Sequence, residues 1–238
     1  MLRKFFFIIT ILFSADAQAQ NIKNPIIVEL FTSHGCSACP PADLLLKELA
    51  ENNPNILAFS FHIDYWDNSK WRDPFSSAEN TIRQKEYLTS LKENSIYTPQ
   101  LIVNGKVSVA GSSRLGVENA IETAGLEPFL ADVTLERSNK NKIIAHIKTK
   151  DQSNLGEVDI WEIRFNRYAK TKVAAGANCG KTVENINNVT GIKLLKTLYL
   201  SDQNQEITLG NLSKEGIAIV AQAPNQGQIY GAAAYLKN

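Results

Sequence analysis

Cysteine is scarce in this 238-residue chain, and the scarcity is informative. Three residues, Cys36, Cys39 and Cys179, are too few for a disulfide-dense scaffold, and an odd number cannot pair entirely within one chain. An excess of charge of one sign is also lacking. Lys and Arg number 25 against 24 Asp and Glu, so neither a basic nucleic-acid surface nor an acidic solvating tail is indicated. Past the first residues no apolar run approaches the roughly 20 residues a membrane span needs. Repeats of fixed period and low-complexity tracts are missing as well, which excludes solenoids and compositionally biased linkers. What is present is a globular composition, 44% apolar and 21% charged, with enough chain to bury its own core. The cysteines are therefore not needed as staples, and reactivity becomes the better reason for at least two of them.

Met1-Leu2-Arg3-Lys4 followed by the apolar run Phe5 to Phe13 has the charged and hydrophobic regions of a secretory signal. Ala17-Gln18-Ala19 offers small residues at the two positions a signal peptidase reads, with Ala15-Asp16-Ala17 as a second option. The expectation is a signal peptide over 1–19 and a periplasmic or secreted product with no stable membrane anchor after cleavage. An uncleaved anchor is the competing reading, and the shortness of the apolar run counts against it.

Residues 26–32 form a β-rich apolar run that stops at Ser33-His34-Gly35, a strand followed by a turn. Pro40 and Pro41 fit a helix only in its first turn, and Ala42, Leu44, Leu45, Leu46 and Leu49 then supply an apolar stripe. Cys36 falls at or just before this helix N-terminus and Cys39 about one turn in. Residues 56–63 read as a second buried strand leading into Asp64-Tyr65-Trp66-Asp67. The next helix starts near Ser76, which has capping-box spacing to Glu79, and continues through Ile82, Leu88 and Leu91. Asn104-Gly105, between 100–103 and 106–110, is a strong hairpin signal, and a last helix covers about 115–124.

The order is β-α-β-α-β-β-α. From Glu127 the pattern changes to short runs at 133–135, 143–147, 158–165, 194–200, 217–221 and 229–236, which predict a β-rich, sandwich-like C-terminal domain. Charge divides at the same place: 9 basic and 12 acidic residues over 20–126, 14 and 11 over 127–238. The expected domains are 20–126 and 127–238.

Cys36-Ser37-Ala38-Cys39 is a C-x-x-C between a buried strand and a helix start, the context of a redox pair. The free amides and positive dipole end of a helix stabilise a thiolate at Cys36, and Cys39 is placed to resolve a mixed disulfide. Structural zinc needs a second ligand pair, and no second C-x-x-C exists. A permanent structural disulfide is the plain alternative. Thr98-Pro99, directly before the hairpin, stands where a cis-proline would face the cysteines and align an extended substrate; an ordinary trans-proline opening an edge strand is the other reading.

These segments, with Val28-Glu29-Leu30-Phe31-Thr32 and Tyr97-Thr98-Pro99-Gln100, resemble the thioredoxin fold. More narrowly, Gly35 to Asp43, His62-Ile63-Asp64-Tyr65-Trp66-Asp67, Asp73-Pro74-Phe75 and Arg83-Gln84 resemble the bacterial secreted thioredoxin-like family catalogued as domain of unknown function 1223. The resemblance covers nearly all of the chain after the signal segment, ending on Gln228 to Ala233. It implies an α/β thioredoxin-like domain followed by the β-rich domain, with Cys36, Cys39 and Pro99 at the matching motif positions. Glu29, an acid on an apolar strand, takes the proton-accepting role that an acid in this strand can have in thioredoxin-like proteins, against the plain reading that it faces solvent. His34 replaces the glutamine expected in the family's loop, and Cys179 stands in a segment usually richer in arginine and without cysteine.

The resulting expectation is a thiol-disulfide oxidoreductase acting on protein or small-molecule disulfides, without a cofactor. Its catalytic residues are Cys36, Cys39, Pro99 and Glu29, and its substrate rim is Thr98, His62, Asp64 and Trp66, set against a structural loop in which Trp66 is packed. Two other classes fit: a copper-handling protein using His34, Cys36 and Cys39, with soft thiolates and imidazole suiting Cu(I), and a non-catalytic binding module with a permanent disulfide. Cys179 is left as a buried thiol, an exposed dimerising thiol or a third redox partner.

Overall fold

The computed structural model describes residues 20–138, 142–150, 156–199, 204–210 and 216–236. The expected signal segment 1–19 and Leu200 lie outside them. In chain order the elements are β1 (Gln20–Lys23), β2 (Ile26–Thr32), α1 (Pro40–Asn52), β3 (Ile56–His62), α2 (Ala78–Leu91), β4 (Gln100–Val103), β5 (Val107–Ala110), α3 (Arg114–Gly125), β6 (Ala131–Arg137), β7 (Ile143–Thr149), β8 (Glu157–Lys172), β9 (Thr182–Tyr199), β10 (Gln205–Leu209), β11 (Gly216–Gln222) and β12 (Ile229–Leu236).

β2 and β3 are parallel, from Ile26 opposite Ile56 to Thr32 opposite His62, and α1 makes the crossover that parallel neighbours require. Both strands are apolar on two faces because both faces are covered. Val28, Leu30 and Ala58 pack with α1 and α3, while Ile27, Phe31, Phe59 and Phe61 pack with Tyr87 of α2. β4 runs antiparallel to β2, and the Asn104-Gly105 turn has the two positive φ values, 46° and 67°, that a tight hairpin needs. Here glycine is also required by space: a Cβ on Gly105 would lie 2.3 Å from the Gly227 carbonyl oxygen. Helix α2 starts later than its spacing predicted. Ser77 is the N-cap, accepting from the Asn80 amide, while Ser76 Oγ donates to Asp67 Oδ2 at 2.6 Å.

The expected fold class, an α/β thioredoxin-like domain followed by a β-rich sandwich-like domain, is overturned. The chain is mostly β-sheet, with three helices among the described residues, and is dominated by one nine-stranded mixed sheet in the order β1-β12-β11-β8-β9-β3-β2-β4-β5. β9 lies parallel to β3, with Ser60 opposite Asn188, so strands from both parts of the sequence share one ladder. A three-stranded sheet, β10-β7-β6, packs on the C-terminal part. The physical sign was in β11. A strand with one solvated face alternates, whereas every residue of Gly216–Gln222 is buried. Ile217, Ile219 and Ala221 face the three-stranded sheet, and Ala218 and Val220 face the core of Phe59, Phe61 and Phe165.

Arg83 of α2 crosses that second core fully buried. Its Nη2 donates to Glu29 Oε1 at 2.6 Å, Tyr87 Oη at 3.1 Å and Gln222 Oε1 at 3.1 Å, its Nη1 donates to Gln226 Oε1, and its guanidinium lies over the rings of Phe61, Tyr87 and Trp161. Removing one partner of a buried ion pair strands the other charge, at a cost of roughly 3–5 kcal/mol. Glu29→Ala and Arg83→Met should each lower unfolding stability by about that amount in urea titrations, and the double variant should lose less than the sum. Additive losses would show that the pair is not coupled.

Candidate active site

Cys36 and Cys39 are joined by a disulfide at the start of α1, with Cα atoms 5.5 Å apart. Cys39 is the helix N-cap, and Pro40 and Pro41 occupy the first turn, where a missing N–H costs nothing. The cysteine loop is fixed from below: Cys36 N donates to Ser33 O at 3.1 Å, and Asp43 N donates to Cys39 O at 3.0 Å. Both cysteines are covered, at 1% and 0% exposure. Part of the cover comes from the turn between β8 and β9. Asn178, itself buried, donates through Nδ2 to the carbonyls of Cys36 at 2.7 Å and His34 at 3.0 Å, and its Oδ1 accepts from Lys181 Nζ.

Beside the disulfide the chain builds a partly open aromatic rim. Trp66 is 42% exposed, its Cβ lies 3.0 Å from where a Gly35 Cβ would stand, and its Nε1 donates to Thr98 Oγ1 at 2.7 Å. The Thr98-Pro99 peptide is cis, and Pro99 is buried. Pro99 reaches the cysteine helix through Gly111: a Cβ there would meet Ala42 of α1 at 3.2 Å and Pro99 Cβ at 3.3 Å. Cys36, Trp66, Thr98 and Pro99 are thus gathered at one edge of the sheet.

The other expected residues stand elsewhere. Asp64 is turned to α2, where Oδ1 accepts from Thr81 Oγ1 at 2.6 Å. His62 is fully buried, with Nδ1 2.8 Å from Asp73 Oδ2. Glu29 shares the β2 face of Ile27 and Phe31, pairs with Arg83, and is not brought to the side of the sheet that α1 covers. The copper donor set is split in the oxidised pair: the sulfurs bond each other, and His34 Nε2 is held by Asn185 Oδ1 at 2.8 Å. Cys179 is exposed and free, its thiol donating to Ala174 O at 3.2 Å.

Three functional neighbours escaped the sequence reading. Asp73 links the site's loops, accepting from the backbone N–H of His34 at 2.7 Å and of Phe75 at 3.0 Å. Burial pushes its carboxyl up, but His62 and His34 outweigh that and hold it well below the usual range. His34 is lowered, first by burial and then by His62. Asp43 sits one turn after Cys39 on the buried stripe of α1, accepts from Thr32 Oγ1 at 2.9 Å, and is raised by burial to about 7. Its spacing from Cys39 and Leu46 was the available signal. Asn178 carried none, since its partners are distant in sequence.

Two measurements check this arrangement. Losing Asn178's two bonds to the cysteine loop, each with a net value of about 0.5–1.5 kcal/mol, should speed reduction of the disulfide by a small dithiol about 5–150-fold in Asn178→Ala; an unchanged rate would remove Asn178 as a clasp. Asp43, with a raised folded value, contributes stability that is fully present below pH 3.8 and lost as pH rises through about 7. The melting temperature of Asp43→Asn relative to the parent should therefore climb between pH 4 and 8, with His62, Asp73 and Thr32 as the facing groups common to both; a flat difference would contradict the buried acid.

Comparison with known proteins agrees with this architecture. An X-ray structure of a protein from Agrobacterium tumefaciens is 26% identical, with a TM-score of 0.76 over 90% of this chain and 94% of that one. HBP35 of Porphyromonas gingivalis, 14% identical, matches in fold with a TM-score of 0.63 over 90% of this chain and 76% of that one. No curated protein matches. A family model matches residues 27–222, spanning the cysteine pair, the rim loop, α2 and the clasping turn. The chain belongs to the family described as Protein of unknown function (DUF1223).

Proposed function

We propose that this protein is a thiol-disulfide oxidoreductase working outside the cytoplasm, on protein or small-molecule disulfides and thiols. The observation that carries the reading is the Cys36–Cys39 disulfide at a helix N-terminus with the Trp66–Thr98–Pro99 rim beside it. The N-terminal sequence pattern of residues 1–19 supports the location.

An incoming thiolate attacks Cys36 Sγ, the Cys36–Cys39 bond breaks, and Cys39 leaves as a thiolate. The positive end of α1 stabilises that charge. Resolution by a second thiol of the substrate releases Cys36, so two substrate thiols become a disulfide while the protein gains two thiols; in reverse, a substrate disulfide is reduced. The rim offers an aromatic face from Trp66 and backbone at Thr98-Pro99 for an extended segment. Since both sulfurs are covered, exchange needs the cysteine loop to open, against the bonds that Asn178 makes to its Cys36 and His34 carbonyls.

The reduction potential of the pair tests the proposal, by equilibrating the protein with glutathione and reading alkylated peptides by mass. A value roughly between −270 and −120 mV is expected, with Cys36→Ser abolishing exchange. A potential below about −300 mV, or a Cys36→Ser variant that exchanges at the parent rate, would make the pair a structural clasp instead.

A further inference from the structure

Behind the cysteine loop, three chain segments converge on one buried point that the redox reading does not use. His34 comes from the turn after β2, His62 from the end of β3 and Asp73 from the loop before α2. All three are at most 1% exposed, and one donor atom from each lies within 4.8 Å of the others. The rings of His34 and His62 stand 4.9 Å apart, and Phe75 closes the site against both, 5.8 Å and 5.4 Å away.

The hydrogen bonds around this point are unevenly distributed. His34 Nε2 is engaged by Asn185 Oδ1 at 2.8 Å, so the ring proton belongs there and Nδ1 carries the lone pair. That Nδ1 is buried with no hydrogen-bond partner and is aimed at Asp73 Oδ1 from 3.4 Å. A bare nitrogen facing a carboxylate in a dry interior is repulsive unless something positive stands between them. A proton would draw the atoms to the roughly 2.7–3.2 Å of an N–H···O bond. The separation of 3.4 Å is close to the edge of a tetrahedron built on bonds of about 2.0–2.1 Å.

We propose that His34 Nδ1, His62 and Asp73 form a binding site for a divalent cation of the zinc class. Two imidazoles and one carboxylate suit zinc; magnesium and calcium prefer all-oxygen sets, and Cu(I) prefers thiolates and thioethers. The site has the outer support such centres need. Asn185 accepts the distal N–H of His34, as a carbonyl commonly does behind a metal-bound histidine, and the amides of His34 and Phe75 anchor the carboxylate. Metal at His62 Nδ1 requires the neutral ring with its proton on Nε2, so the proton now shared with Asp73 at 2.8 Å would pass to the other ring nitrogen as the metal enters, and that contact would widen by a few tenths of an ångström. Three protein ligands leave a fourth position open.

Neither cysteine belongs to this set, so the inference stands apart from the redox reading. The test uses the full chain with the Cys36–Cys39 disulfide intact and Cys179 alkylated, stripped of metal and titrated with Zn²⁺ against a competing chelator. One zinc per chain is expected, with Co²⁺ giving a tetrahedral visible spectrum and zinc raising the melting temperature in a saturable way. His34→Gln and Asp73→Asn should abolish stoichiometric binding, and Asn185→Leu should weaken it about 10–100-fold. If a variant fails to fold, the parent's own stoichiometry and cobalt spectrum still decide. No stoichiometric binding by the parent, or binding that survives His34→Gln, would overturn the site while leaving the disulfide chemistry untouched.

Discussion

The buried guanidinium of Arg83 fixes the seat of α2, and through it most of the site. A charge taken out of water is retained only where a counter-charge and further acceptors meet it, and here Glu29 of β2, Tyr87 of α2, Gln222 of β11 and Gln226 of the following turn do so. These partners come from opposite ends of the sequence, so the pair joins the early strands to the late ones. The neighbours of Arg83 on α2 then reach the rim. Thr81 holds Asp64, and Gln84 donates to Tyr97 O and Gln100 Oε1, both at 2.8 Å, on either side of Thr98-Pro99. A shift of α2 would therefore be transmitted to the surface where Trp66 and Thr98 meet.

Continuity of the large sheet supplies the other constraint. β9 joins the large sheet beside β3, and the 173–181 turn of the long β8–β9 hairpin reaches the cysteine loop, where Asn178 donates to the Cys36 and His34 carbonyls. Lys47 of α1 reaches Glu184 of β9 at 2.8 Å, and Asn187 Nδ2 donates to Ala58 O at 2.8 Å. The hairpin is held along its length while its tip is attached to the cysteine loop through Asn178. The C-terminal part of the chain is thus a structural member of the candidate site, as well as a layer beside it.

Local chemistry was readable in the sequence, and long-range pairing was not. The proline pair starting α1, the Asn104-Gly105 hairpin and the position of the cysteine pair between β2 and α1 follow from residues within a few positions of one another, although Cys39 is the N-cap of α1 and does not lie one turn inside it. The joining of β9 to β3 depends on pairing across more than a hundred residues, which no local pattern encodes, and it overturned the expected fold class. Glu29 shows the same limit. An acid among Ile27, Val28, Leu30 and Phe31 could be read locally as a proton acceptor or as a solvent-facing group, and only the fold shows that it is buried and paired with Arg83 of α2. Thr182 to Lys193, the first part of β9, contains Asn185, Asn187, Asn188 and Gly191, residues disfavoured in strands. Asn185 holds His34 and Asn187 holds Ala58 O, so part of the polarity that hid the strand serves the contacts it makes.

A layer of polar groups beneath a covered disulfide has a consequence for how the site can work. Asp43, His62, Asp73 and His34 are all buried at the ends of β2 and β3 and around α1, in a region where burial outweighs the lowering by His62 and Thr32 and holds Asp43 at about 7. Reducing the disulfide adds a leaving thiolate at Cys39 one turn from that acid, and two like charges cannot both persist in a dry pocket. Asp43, part protonated near neutrality, can keep its proton and stay neutral, or give it up as Cys39 takes one. The burial that covers the disulfide therefore also keeps a titratable acid on the same helix, one turn from Cys39.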